Sequence, residues 1–140
     1  MNSAEWSSKK EVAAANRRFY QAFERQDLEA MRTAWLDHPE VRCVHPGSEM
    51  IVGTGRVLAS WAAVIRGSQG IRFDLTDLSV QVSGDSAWVC GIEEIRVQSQ
   101  EGERLSSAAV TNLFVRSGGE WKLLLHHASP ISRRIFPEAV

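Results

Sequence analysis

The run Ile71-Arg72-Phe73-Asp74-Leu75-Thr76-Asp77-Leu78-Ser79-Val80-Gln81-Val82 decides how the chain is read. Apolar residues alternate at Ile71, Phe73 and Leu75, and again at Leu78, Val80 and Val82, which is the period of a strand with one buried face. The two sets differ in parity, so the strand is predicted to bend or bulge between them. Downstream, Ser83-Gly84-Asp85-Ser86 has the composition of a hairpin turn. Three further strand-like segments follow, over 87–97, 105–115 and 120–128. Glu101-Gly102-Glu103 and Ser117-Gly118-Gly119 separate them, so neighbouring strands run antiparallel.

Upstream of Ile71 the period is helical. Val12, Ala15, Phe19 and Phe23 recur on one face, and Ser8 with Glu11 fits a capping box, predicting a helix from there to about Gln26. Asp27 is a candidate cap for a shorter helix whose Leu28, Met31 and Trp35 share a face. His38-Pro39 ends it, because the residue before a proline disfavours helical dihedrals. Residues 41–45 read as a short strand closed by Pro46-Gly47. Gly53-Thr54-Gly55 turns into a third helix, with Thr54 as candidate cap and Leu58, Trp61 and Ile65 as its apolar stripe. Helices followed by long hairpin-linked strands indicate an α+β fold in which a curved antiparallel sheet wraps three helices as a half-open cone. The open end of such a cone is a natural pocket.

The chain has 140 residues, 44% hydrophobic and 24% charged, which suits a single domain, with its core over about 8–130. A net charge of −1 gives no electrostatic reason to expect nucleic acid or an anionic membrane as partner. No stretch approaches membrane-spanning length or resembles a signal-peptide core, so a cytoplasmic location is expected, with Cys43 and Cys90 as reduced, buried thiols.

A set of short motifs resembles the nuclear-transport-factor-2-like (NTF2-like, cystatin-like) superfamily, and within it the SnoaL-like group. They are Gln26-Asp27-Leu28-Glu29-Ala30-Met31, Val44-His45-Pro46-Gly47, Gly53, Gly84-Asp85-Ser86-Ala87-Trp88-Val89, Thr111-Asn112-Leu113-Phe114, and Gly119-Glu120-Trp121-Lys122-Leu123 leading to His126-His127. Order and spacing match over roughly 8–130. The ending also resembles the association domain of calmodulin-dependent kinase. The superfamily holds isomerases, cyclases, dehydratases and assembly modules, so the fold alone does not choose a function. Homodimerisation through the outer sheet face is what the resemblance implies.

Ketosteroid isomerases carry a carboxylate base at the position matching His45, before Pro46; an imidazole there suits acid–base work near neutrality. Their phenolic donor aligns with Phe19, one residue from Tyr20, the chain's only tyrosine. Adjacent helical positions lie about 100° apart, so Tyr20 is expected to point elsewhere. Glu93 and Asn112 match pocket-facing polar positions of the kinase association domain. A glutamate where that domain has an arginine favours a hydroxyl, amine or cation, and an inward Glu93 needs a partner such as Asn112 or a histidine. The alternative turns Glu94 inward instead.

His126 and His127 are consecutive on a strand, so they cannot chelate one ion, and one enters the pocket while the other lies on the outer face or dimer interface; the resemblance favours His127 as the pocket histidine without fixing which face is concave. By simple parity Trp121, Leu123, Leu125 and His127 share a face. Cys43 and His45 share a face too, a weak metal signal. Trp35 and Trp61 lie on helix faces expected to border the cavity. No nucleophile motif, phosphate loop or dinucleotide fingerprint occurs, so neither cofactor nor metal is expected. The expected ligand site is thus Trp35, His45, Trp61, Glu93, Asn112 and His127. The favoured reading is a binder of a small, largely apolar molecule; the alternative is an isomerase, dehydratase or cyclase in which His45 carries the proton.

Overall fold

A computed structural model of the chain describes residues 3–68 and 70–132. The elements are α1 (Ser3–Glu24), α2 (Leu28–Ala34), β1 (Arg42–Val44), β2 (Ile51–Val52), α3 (Thr54–Gly67), β3 (Ile71–Ser83), β4 (Ser86–Ser99), β5 (Gly102–Ser117) and β6 (Glu120–Pro130). The strands form one sheet in the order β2-β1-β6-β5-β4-β3. All neighbours are antiparallel except β1 and β6, which run parallel. Three helices on an open, curved sheet make the expected α+β cone.

α1 begins five residues earlier than the capping-box reading placed it. Ser8 and Glu11 are mid-helix and reach across to the sheet instead. Ser8 Oγ accepts from Arg116 Nη2 at 3.0 Å, and Glu11 Oε1 accepts from Trp121 Nε1 at 3.2 Å. The helix ends in a Schellman arrangement: Gln26 sits at φ 57°, its N–H bonds Phe23 O, and Asp27 N–H bonds Ala22 O. Asp27 then caps α2, its side chain accepting from Ala30 N at 3.0 Å, as expected. In α3 the cap position falls to Gly53. Thr54 Oγ1 lies 2.9–3.0 Å from the carbonyls of Leu36 and His38, tying the helix start to the loop after α2.

Two bulges set which side chains face the helices. The first lies between Thr76 and Ser79 of β3, where the parity change predicts it, with Asp77 at φ 53°. Gly91 on β4 lies under it: a Cβ there would sit 2.6 Å from Leu78 Cδ2 and 3.0 Å from Thr76 O. The second is in β6, where Leu113 pairs with Leu125 but Phe114 pairs with Leu123, so Leu124 is the extra residue. It flips the parity of everything beyond it. Trp121 and Leu123 face inward before the bulge, and His126 and Ala128 after it.

Phe19 is the hub of the core. Its ring makes edge contacts with Tyr20, Trp35, Trp61 and His126, with centroids 4.8–6.3 Å away. Val12, Met31, Val57 and Leu123 are fully buried around it. Burying a side chain of this size contributes about 2–3 kcal/mol. Cys43 and Cys90 are free thiols, the first buried and the second only half-buried. None of the described helices is long and apolar enough to cross a membrane.

Candidate functional site

A cavity with a volume of about 320 Å³ lies between α1, α3 and the sheet. Phe23, Val64, Ile71, Phe73 and Ile95 form its apolar walls, and Trp61 shapes one side. Tyr20, His45, Glu93 and His126 supply its polar groups. Other clefts lie between α2 and β6 and between α1 and β3. Neither holds a buried ionisable group apart from Tyr20, which forms part of the wall shared by the α1–β3 cleft and the cavity.

Each polar group arrives from a different element. Glu93 is on β4, opposite Ala108 and Leu75, and only 2% exposed; Glu94, its neighbour, turns outward and accepts from Ser107 Oγ. The inward reading of Glu93 therefore holds. Its partner is neither Asn112 nor a histidine but Tyr20, whose phenol donates to Glu93 Oε2 at 2.5 Å. Tyr20 does enter the cone, contrary to the expectation from its offset against Phe19. α1 is buried over more than one stripe, since Asn16 and Tyr20 are buried together with Val12, Ala15, Phe19 and Phe23.

Behind this pair lies Asn112 on β5, fully buried. Its Nδ2 donates to Asn16 Oδ1 at 2.8 Å and to Tyr20 Oη at 3.2 Å, and its Oδ1 lies 2.6 Å from His126 Nδ1. Asn112 thus orients the site from behind the cavity wall. His126, not His127, is the inward histidine: His127 is exposed on the outer face because the Leu124 bulge reverses the parity. Trp61 borders the cavity as expected. Trp35 does not; it is 3% exposed in the core behind Phe19.

His45 follows β1 and lines the cavity beside Trp61, with ring centroids 4.5 Å apart. Its Nε2 is 2.9 Å from Ser60 Oγ and 3.7 Å from Cys43 Sγ. Ser60 Oγ spends its only proton on Val57 O at 2.7 Å, so it accepts from His45 Nε2–H. The lone pair of neutral His45 is then on Nδ1.

Burial dominates the electrostatics. It pushes the Glu93 carboxyl from its ordinary 4.5 up to about 7, with the Tyr20 hydrogen bond pulling the other way. The Tyr20 phenol is raised well above 10 by burial and by the adjacent carboxylate. Burial lowers both imidazoles, His45 from 6.5 and His126 to about 3, the latter with help from the neighbouring His45 and His127. Burial also takes the Cys43 thiol up to about 12, so it is no nucleophile at neutral pH. A cavity with a carboxyl titrating near neutrality and two neutral imidazoles is equipped to bind a polar group and to move a proton.

Sequence reasoning missed Asn16 and Ser60, set Tyr20 aside, and held His126 as the less favoured of two histidines. The spacing of Asn16 and Tyr20, four apart beside the apolar stripe of α1, is the signal that marks them as a pair on one inward face.

The profile of the SnoaL-like domain family matches residues 12–133. A proposed dehydratase of the NTF2-like family from Streptomyces avermitilis is 33% identical, with a TM-score of 0.86 over 92% of this chain and 99% of that one. A proposed calcium/calmodulin-dependent protein kinase type II association domain from Thiobacillus denitrificans is 27% identical, with a TM-score of 0.76 over 86% and 94% of the two chains. The F-box protein SKIP8 of Arabidopsis thaliana is 25% identical over 124 residues, which are 89% of this chain. The chain spans about half the length of that curated relative, 51%. With the family profile covering most of its length and the cone architecture in place, this chain belongs to the SnoaL-like domain family.

Proposed function

We propose that the chain binds a small, largely apolar molecule in the cone cavity, with the ligand's polar end against Glu93, His45 and His126. The observation that carries this reading is Glu93. A carboxyl almost fully removed from water costs stability wherever it is ionised, and an apolar residue would pack the same place without that cost. Its presence beside an apolar-walled space of about 320 Å³ fits a role toward a ligand.

Acid–base catalysis of the isomerase, dehydratase or cyclase type is the second reading. It is favoured by the free Nδ1 lone pair of His45 on the same cavity as a carboxyl that titrates near 7. In this reading His45 takes a proton from the substrate and Glu93, in its protonated form, delivers one to a departing or enolate oxygen. The dehydratase proposed for the Streptomyces relative is in keeping with such chemistry.

Thermal stability against a panel of aromatic, steroid-like and polyketide-like compounds tests both, since a ligand of the folded state raises its melting temperature. A shift that His45→Ala and Glu93→Gln reduce supports the cavity, and mass analysis of the bound compound then separates turnover from binding. Shifts that neither variant alters would contradict it.

Two copies of the chain are proposed to pair through the outer sheet face. Trp88, 39% exposed, lies there opposite the half-buried Leu113, which in turn pairs with Leu125. Sedimentation of Trp88→Glu as a monomer beside a dimeric parent supports this arrangement; a monomeric parent contradicts it.

A further inference from the structure

Ionised Glu93 fixes the direction of every hydrogen bond behind it. A carboxylate only accepts, so Tyr20 Oη donates to it and must itself accept from Asn112. The Asn112 atom facing Tyr20 is therefore the amide nitrogen, and the atom facing His126 is the oxygen. His126 Nδ1 must then carry the proton across the 2.6 Å contact, which leaves Nε2 with a lone pair. Burial keeps the ring neutral, so that lone pair persists.

His45 is fixed by a separate chain with the same result: Nε2–H donates to Ser60, and Nδ1 is bare. Glu93 Oε1, His126 Nε2 and His45 Nδ1 have no protein partner among the described residues. None of the three is a sealed orphan, for among the described residues the fully buried unpartnered polar side-chain atoms are the indole nitrogens of Trp35 and Trp61. The Trp61 N–H, although on a residue that lines the cavity, is thus not offered to a ligand. The hydroxyl of Ser68, at the end of α3, is the remaining side-chain donor on the wall.

We propose that the chain His126-Asn112-Tyr20-Glu93, together with Ser60 behind His45, makes the cavity floor an acceptor surface, so that its ligand is a hydrogen-bond donor. The class is a phenol, alcohol or amine on an apolar body. A carboxylate or ether of the same shape meets three acceptors with only the Ser68 hydroxyl at the end of α3 to donate, and an unpaired buried polar group costs more than a made hydrogen bond returns. This inference rests on the reading of the cavity as a ligand site.

The test has two arms, both at about pH 8, where Glu93 is mostly ionised. The first reads the histidine tautomers of the free protein by ¹⁵N NMR. Protons on His126 Nδ1 and His45 Nε2 are expected, and the opposite tautomer at either ring overturns the acceptor assignment. The second compares 2-naphthol, 2-methoxynaphthalene and 2-naphthoate by calorimetry. Naphthol should bind at least about tenfold tighter than either analogue, the equivalent of one hydrogen bond to a charged or buried group. Naphthoate or the ether binding as tightly as naphthol overturns the inference while leaving the ligand site standing. Binding of none of the three, with the tautomers as stated, overturns the reading of the cavity as a ligand site and this inference with it.

Discussion

Tyr20 on α1 donates its phenolic proton to Glu93 on β4 across 2.5 Å, and both side chains are almost entirely removed from water. The bond lowers the cost of the buried carboxylate without abolishing it. Folded Glu93 titrates near 7 against an ordinary 4.5, so between those values the folded chain holds a proton that the unfolded chain has released. Stability contributed at this position is complete below about pH 4.5 and falls as pH rises to 7, by about 3 kcal/mol. Glu93→Gln keeps the acceptor for Tyr20 and removes the charge. Urea unfolding should find it close to wild type near pH 4.5 and more stable by about 2–3 kcal/mol at pH 8. Equal stabilities at pH 8 would contradict the assignment.

The buried imidazole of His126 works in the opposite direction. Its folded value is about 3 and its ordinary value 6.5, so the unfolded chain binds the extra proton in between. Stability is fully present above 6.5 and is lost as pH falls toward 3, by about 5 kcal/mol. In the wild type this loss is partly offset by the gain at Glu93 between 6.5 and 4.5. Glu93→Gln removes the offset, so its acid loss should be the steeper of the two. The His126 ring resonances should show no protonation above about pH 4; titration near 6.5 would contradict their burial.

Asn112→Ala removes the central link and leaves three buried groups without it: His126 Nδ1, Asn16 Oδ1 and Tyr20 Oη. Unmade buried hydrogen bonds cost about 1–3 kcal/mol each, and not additively, so a loss of about 3 kcal/mol is expected in chemical unfolding. A loss below about 1 kcal/mol would mean the network is not formed as described.

Gly91→Ala probes the β3 bulge. The added methyl meets Leu78 Cδ2 at 2.6 Å and the Thr76 carbonyl at 3.0 Å; the leucine can turn, but the backbone oxygen cannot move without disturbing the bulge. A destabilisation of about 1–3 kcal/mol is expected by thermal or chemical unfolding. A neutral substitution would place β3 farther from β4 than it is.

The fold was legible where periodicity was clean. Ile71-Phe73-Leu75 against Leu78-Val80-Val82 announced both a strand and its bulge, and Asp27 announced the start of α2. The β6 bulge was not legible, because Leu123-Leu124-Leu125 is apolar throughout and carries no alternation from which a parity change could be read. That one hidden residue exchanged His127 for His126 in the site. Glu93, His45 and Trp61 line the cavity as expected from sequence; Asn112, expected to face the ligand, stands behind the cavity wall instead, and Tyr20 was set aside because a single-stripe view of α1 cannot describe a helix enclosed by a curved sheet. The hydrogen-bond directions depend on which atoms meet in space, and no sequence pattern encodes them.

The most direct test of the central claim is a calorimetric titration of 2-naphthol into wild type and Val64→Trp. Val64 lines the cavity from α3 and is half-buried, so an indole there fills the space while leaving Tyr20, Glu93, Asn112 and His126 untouched. The account predicts saturable binding to the wild type and a loss of at least about tenfold in the variant, equivalent to about 1.4 kcal/mol, with its unfolding still cooperative. Equal binding to both proteins would place the ligand outside the cone and contradict the account.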